Sequence, residues 1–377
     1  MLLSSPRHLL SPACTRSTLS AFSTGTRSNR IMPSLIASAR SISTNDKPKV
    51  LLMDPIQLAT SVESSLAKKY DLIKLESRNR DEFIEDCRGK YDGVTAIYRH
   101  FKGPATKVTG LFDPQLVDAL PSSLKFICHN GAGYDQIDIP SCTSRRIQVS
   151  NVPVAVDDAT ADTALFLLLG SIRQFGLAQK NLYAGHFNAG LPLSNDPKGK
   201  RLGIVGMGGI GRAFAKRCRS LGMEVQYHNR NRLSKELEDG ATYVDTLEEL
   251  LETSDVVSLN LPLNEKTKGL MGKKQFEKMK KTAILINTAR GGVVNEQDLV
   301  DALEKGEIVG CGLDVYQDEP KINEGLIKSD KAFLLPHVGT LTVETQTEME
   351  AVCLRNIEQG IETGELGFTV PEQKGEF

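Results

Sequence analysis

Three glycines are spaced as Gly206-x-Gly208-x-x-Gly211, directly after Gly203-Ile204-Val205. That order reads as a buried strand, a tight turn and a helix start, the arrangement that sets a dinucleotide pyrophosphate on a helix N-terminus. The first glycine permits the turn, the second lets phosphate approach the backbone, and the third lets helix and strand pack closely. Met207, Gly209 and Ile210 complete this loop and are expected beside the cofactor. At the end of the next strand, residues 224–227, a carboxylate would mark NAD by bonding the ribose diol. The chain has His228-Asn229-Arg230-Asn231-Arg232 there, with two arginines and no carboxylate. Guanidinium groups bind a 2′-phosphate bidentately and gain nothing from a bare hydroxyl. The expectation is NADP(H) in preference to NAD(H), with Arg230 and Arg232 on the phosphate and Asn229 in support.

Three further residues lie just past apolar runs that read as strands, where ligands of open parallel sheets gather. Arg290 follows residues 283–286, Glu319 follows residues 309–315, and His337 follows residues 333–335. Taken singly, each is as well explained as a surface arginine, a loop carboxylate and a structural histidine.

The elements that must position these residues form two series. In the first, strands at 50–53, 72–75, 94–98, 126–128 and 148–152 alternate with helical segments and stop at Pro153. In the second, strands recur from Arg201 to residue 335. Strands separated by helical patterns imply parallel sheets covered by helices on both faces. The fold class is therefore α/β, with two Rossmann-like or flavodoxin-like parallel-sheet domains and a cleft between them. Residues 47–153 with 341–377 are assigned to a substrate domain, and residues 154–340 to the NADP(H)-binding domain. Residues 157–183 read as one long helix whose apolar face (Ala164, Leu165, Leu168, Leu169, Ile172) needs cover from another domain or subunit.

Composition narrows the partners. Over 377 residues, charged residues make up 25% and hydrophobic ones 40%, as in ordinary globular proteins. A net charge of −1 gives no reason to expect nucleic acid or an anionic membrane. The apolar run 164–169 is far shorter than the ~20 residues of a membrane span. Seven scattered cysteines without a Cys-x-x-Cys pair argue against a zinc ribbon or a disulfide framework, and no metal is expected. Residues 1–46 differ from the rest: Arg7, Arg16, Arg27, Arg30 and Arg40 stand among Ser and Thr, and the first acidic residue is Asp46. That is the composition of a mitochondrial transit peptide, and Arg40-Ser41-Ile42-Ser43 resembles a matrix-protease cleavage site. Initiation at Met32 would shorten the leader and leave a cytoplasmic product.

Together the motifs carry a resemblance. Gly206-x-Gly208-x-x-Gly211, Asn287-Thr288-Ala289-Arg290-Gly291, Gly312-Leu313-Asp314-Val315-Tyr316-x-x-Glu319-Pro320 and Pro336-His337-x-Gly339 stand in the order and spacing of the D-isomer-specific 2-hydroxyacid dehydrogenases. The resemblance spans about residues 48–365. It implies that Arg290 holds the substrate carboxylate and polarises the ketone. It implies that His337 protonates the carbonyl oxygen as hydride arrives, and that Glu319 keeps the ring able to do so. Ala132 and Gly133, in Gly131-Ala132-Gly133, match the loop whose amides bind the substrate carboxylate, and Tyr98 is expected to border the substrate side chain. Arg99 would recognise a second carboxylate or face water. Thr160, Pro262, Thr288, Ala289, Asp314 and Gly339 match positions beside the cofactor, and residues 157–183 match a dimer arm, so a homodimer is expected. Formate dehydrogenases carry glutamine in place of Glu319, and D-lactate dehydrogenases carry aromatic residues where Val338-Gly339-Thr340 follows the histidine. The glyoxylate/hydroxypyruvate reductase branch fits best, with a reductase of larger branched 2-oxo acids and a dinucleotide-sensing corepressor as alternatives.

Overall fold

Short, largely apolar strands assemble into two all-parallel sheets in the computed structural model, which describes residues 47–377. The first sheet contains β1 (Lys49–Leu52), β2 (Asp71–Lys74), β3 (Val94–His100), β4 (Phe126–Asn130) and β5 (Gln148–Ser150), in the order β2-β1-β3-β4-β5. The second contains β6 (Arg201–Val205), β7 (Glu224–His228), β8 (Thr242–Tyr243), β9 (Val256–Leu259), β10 (Ile284–Asn287), β11 (Gly310–Leu313) and β12 (Ala332–Leu334), in the order β12-β11-β10-β9-β6-β7-β8. Strands β4, β9, β10 and β11 are buried along their whole length, as expected where helices cover both faces. In each sheet the strand order reverses once, between β1 and β3 and between β6 and β9. Such switch points open a crevice at the C-terminal strand ends.

Two helices tie the sheets together. Asp157–Ile172 packs on helix Gly209–Ser220 and on β10, β11 and β12, so it belongs to the second sheet. Helix Val343–Thr363 returns to the first, against β3, β4 and helix Thr60–Lys69. Its buried Glu350 accepts the backbone N–H groups of Gln57, Leu58 and Ala59 at 3.0, 2.8 and 2.8 Å. A carboxylate there satisfies donors at the start of Thr60–Lys69 and complements its dipole.

One expected element is different. The single helix over 157–183 is two, Asp157–Ile172 and Phe175–Tyr183, with Gln174 left-handed at φ 51° between them. The cause is packing on Phe333: a Cβ at Gly170 would lie 2.1 Å from that ring, and one at Gly176 2.9 Å. The bend wraps both helices around one side chain. The leader reading of residues 1–46 lies outside the described residues.

Candidate active site

Asn287, the last residue of β10, shapes the turn that carries Arg290. Its Oδ1 accepts the Ala289 N–H at 3.0 Å, and its Nδ2 donates to the Arg290 carbonyl at 3.0 Å. The guanidinium then reaches across the cleft to the other sheet. Nε donates to Asp135 Oδ1 at 2.8 Å and Nη2 to the Gly133 carbonyl at 3.0 Å, while Nη1 donates to the Ala289 carbonyl at 2.9 Å. Gly133 must lack a side chain, since a Cβ would lie 2.2 Å from Arg290 Nη2.

Beside Arg290, the loop after β4 exposes main-chain donors. The Gly131 carbonyl accepts from Val152 N at 2.9 Å, and the Ala132 carbonyl accepts from Asn151 Nδ2 at 2.7 Å. In a trans peptide the N–H points opposite to the carbonyl. The Ala132 and Gly133 N–H groups therefore face away from residues 151–152, and neither has an acceptor among the described residues. Gly131, Ala132, Gly133 and Arg290 line one cavity of ≈ 220 Å³ with Phe101, Ile210, Asp314, His337 and Met349. This end of the cavity offers two free amides and a cation, the donor set that binds a carboxylate.

His337 lines the same cavity, and Glu319 is bonded to its ring. His337 Nδ1 lies 2.7 Å from Glu319 Oε2 and 3.0 Å from Oε1. Burial alone would raise the Glu319 carboxyl, but the hydrogen bond and charge of His337 hold it below its ordinary range, with help from Tyr316 N and Lys102. With Nδ1 committed to the carboxylate, Nε2 is the ring atom left to exchange a proton in the cleft. The backbone of His337 is left-handed at φ 58°, which costs on the order of 1–3 kcal/mol for a non-glycine residue. Asp314 offsets this: its carboxylate accepts Val338 N at 2.7 Å and Gly339 N at 2.8 Å. Asp314 is 1% exposed, and burial raises its carboxyl against the pull of those two amides.

The cofactor residues line a second cavity of ≈ 640 Å³ that runs along the C-terminal ends of β6 and β7. Gly206, Met207, Gly208, Asn229, Arg230 and Pro262 border it. Gly206 has φ 95°, where glycine is favoured, and a Cβ on Gly208 would meet nothing within 4 Å. That open space, at the start of helix Gly209–Ser220, is what an approaching phosphate requires. Gly209 adjoins Asp157 and Gly211 lies against the Gly206 carbonyl, so both are packed positions. Asn229 braces the loop, its Oδ1 accepting Met207 N at 2.7 Å. Asn260, Leu261 and Pro262 border both cavities, which therefore adjoin. Asn260 Oδ1 and Thr288 Oγ1 are buried without a partner, and both residues line the first cavity, as do Thr160, Ala289 and Gly339. Unsatisfied polar atoms at that point fit the polar groups of a bound dinucleotide.

Two expectations are corrected and one is narrowed. Tyr98 does not border the cavity: it is fully buried, and its hydroxyl accepts from Asn130 Nδ2 at 2.8 Å. Arg99 neither faces water nor lines the cavity, being 1% exposed and bonded to His129 and Gln136. Both faces of β3 are covered, so alternation along the strand gave no sign of which residues point to the cleft. Arg232 stands outside the cofactor groove, with Nε on Glu238 Oε1 at 2.7 Å.

The sequence also left residues unnoticed. Lys102 crosses the cleft, its Nζ donating to the His337 carbonyl at 3.2 Å and lying 3.6 Å from Glu319 Oε2. Arg212, in the first turn after the glycine loop, borders the cofactor groove. Lys102 is joined to its partners only by the fold. Arg212 lay one residue beyond the glycine motif and could have been found there.

Comparison with known proteins agrees with this geometry. Residues 165–339 match the family model described as D-isomer specific 2-hydroxyacid dehydrogenase, NAD binding domain. The chain is 48% identical over 331 residues to 4-methyl-2-oxopentanoate reductase A of Aspergillus oryzae, covering 88% of this chain and 100% of that one. It is 42% identical over 340 residues to glyoxylate reductase 1 of Saccharomyces cerevisiae, covering 88% and 96%. A glyoxylate reductase from Paecilomyes thermophila superposes with a TM-score of 0.84 at 48% identity, over 87% of this chain and 99% of that one. The chain belongs to the D-isomer-specific 2-hydroxyacid dehydrogenase family. Within that class it is an NAD(P)-dependent oxidoreductase that reduces 2-oxo acids.

Proposed function

We propose that the protein is an NADPH-dependent reductase of small 2-oxo acids, with glyoxylate and hydroxypyruvate as substrates. The observation that carries this reading is the ≈ 220 Å³ cavity, which is lined both by Ala132, Gly133 and Arg290 and by His337. The volume suits an acid of a few heavy atoms. The overall reaction takes a 2-oxo acid, NADPH and a proton to a 2-hydroxy acid and NADP+. The bound nicotinamide supplies the hydride. Arg290 and the Ala132 and Gly133 amides hold the substrate carboxylate and present its ketone. His337 gives the Nε2 proton to the ketone oxygen, and Glu319 stabilises the protonated ring that does so. Arg230 binds the 2′-phosphate that distinguishes NADPH.

The apolar side chains Phe101, Val156, Ile210 and Met349 around the cavity favour a second reading, reduction of a larger branched acid such as 4-methyl-2-oxopentanoate. The similarity to an Aspergillus oryzae reductase named for that substrate supports it. Purified protein assayed with NADPH and NADH against glyoxylate, hydroxypyruvate, pyruvate and 4-methyl-2-oxopentanoate separates the two. Highest kcat/KM on the branched acid would replace the first reading with the second, and equal kcat/KM for both cofactors would remove the NADPH preference.

Two further readings accompany this one. Phe166, Phe175, Leu182, Tyr183 and Phe187 are exposed along the paired helices and the following loop, a face suited to a second copy of the chain. A homodimer is the reading, and a monomer in sedimentation at micromolar concentration would contradict it. The arginine-rich, acid-free leader supports delivery to the mitochondrial matrix. Residues 1–46 fused to a fluorescent reporter test this, with diffuse cytosolic signal as the contrary result.

A further inference from the structure

Arg99 is the largest fully buried side chain among the described residues, yet no carboxylate pairs with it there. Its Nη2 donates to Gln136 Oε1 at 2.7 Å, and its guanidinium lies 5.0 Å from the Phe112 ring centre. Its Nη1 lies 2.9 Å from His129 Nδ1. A guanidinium has donors and no acceptor, so His129 Nδ1 must accept and the ring proton must sit on Nε2. That Nε2 lies 2.9 Å from the Gly133 carbonyl and donates to it. The same oxygen receives Arg290 Nη2 at 3.0 Å, so both of its lone pairs are used. Burial pulls Arg99 down to about 10, still protonated at neutral pH, while burial and the Arg99 charge hold His129 neutral.

We propose that Arg99 and His129 are positioning residues for the substrate carboxylate. Arg99 selects the His129 tautomer, and His129 fixes the Gly133 peptide against which Arg290 is set. A buried, donor-only cation explains why one tautomer is enforced, since a neutral partner would leave the ring free to reverse. The peptide cannot rotate while its carbonyl is held from two sides, so the amides preceding it keep their direction into the cleft. The proposal rests on the reading that these amides and Arg290 hold the carboxylate, and the test separates the two.

The test uses the purified protein with NADPH and glyoxylate. His129→Phe keeps the ring volume and removes both hydrogen bonds, whereas His129→Gln keeps one acceptor and one donor. For His129→Phe the glyoxylate KM should rise about tenfold or more, with the NADPH KM within about twofold of the parent. His129→Gln should recover most of that loss. If His129→Phe does not fold, Arg99→Met/His129→Phe removes the two polar partners together and carries the same expectation. Independently of activity, nitrogen NMR of the His129 ring should show the proton on Nε2, with tautomers mixing in Arg99→Met. A ring protonated at Nδ1 overturns the relay, as does a glutamine variant no better than phenylalanine. A glyoxylate KM unchanged in the His129 variants but raised in Arg290→Lys also overturns the relay. A KM unchanged in Arg290→Lys as well overturns the substrate reading beneath it.

Discussion

Glu238 holds Arg232 through Oε1, 2.7 Å from Nε, and the same oxygen accepts the Tyr227 hydroxyl at 2.9 Å. The two arginines of the cofactor loop are therefore not equivalent. Arg230 borders the groove, while Arg232 is engaged behind it. Arg230→Ala is expected to raise the NADPH KM about tenfold or more and to leave the NADH KM within about twofold. Arg232→Ala should change both by less than about threefold. Equal effects of the two variants on NADPH would mean that Arg232 leaves Glu238 when the phosphate binds.

Glu319→Gln removes the charge that His337 Nδ1 faces while keeping the side-chain volume. The kcat for reduction should fall on the order of 10²-fold, the lower end for loss of acid–base assistance. A kcat within about threefold of the parent would show that Glu319 does not assist the donor.

Two glycines offer a contrast. At Gly133 an added methyl collides with Arg290, so Gly133→Ala should raise the oxo-acid KM about tenfold or more and spare cofactor binding. At Gly208 a methyl meets no protein atom and the backbone is extended, at φ −80°. Gly208→Ala should keep or raise the thermal midpoint while weakening NADPH, because the methyl fills the space left for phosphate. Loss of stability in Gly208→Ala would contradict that assignment.

Stability should also follow pH through His129. Burial, reinforced by Arg99, holds its folded-state value well below the ordinary 6.5. Above that pH both folded and unfolded states are neutral, and nothing changes. Below it only the unfolded chain takes up the proton, so stability falls as pH falls, by up to about 1.4 kcal/mol per pH unit. His129→Gln should therefore flatten the acid-side decline of the thermal midpoint relative to the parent. Parallel declines would show that His129 titrates alike in both states.

The glycine turn and the strand ends that precede Arg290, Glu319 and His337 could be read from residue order. Each depends on a local signal: a turn type, an apolar run or a helical period. What could not be read depends on contacts distant in sequence. Gln174 is no helix breaker, and the bend there exists because Gly170 and Gly176 share the Phe333 ring. Tyr98 and Arg99 lie on a strand buried on both sides, so their types do not reveal which points inward. Glu238 was hidden for a different reason: an acidic residue outside the expected strand end gives no sign of its ion pair with Arg232.

Part of the cavity wall is made of main-chain amides and a braced arginine, whereas Phe101, Ile210 and Met349 contribute apolar side chains to it. No single side-chain replacement can redraw a peptide group, but each of those three can be exchanged for a smaller or larger neighbour. Drift within such a lineage is thus confined to those side chains. On the proposed roles, descendants can exchange one 2-oxo acid for another while inheriting the same grip on the carboxylate and the same acid beside the ketone.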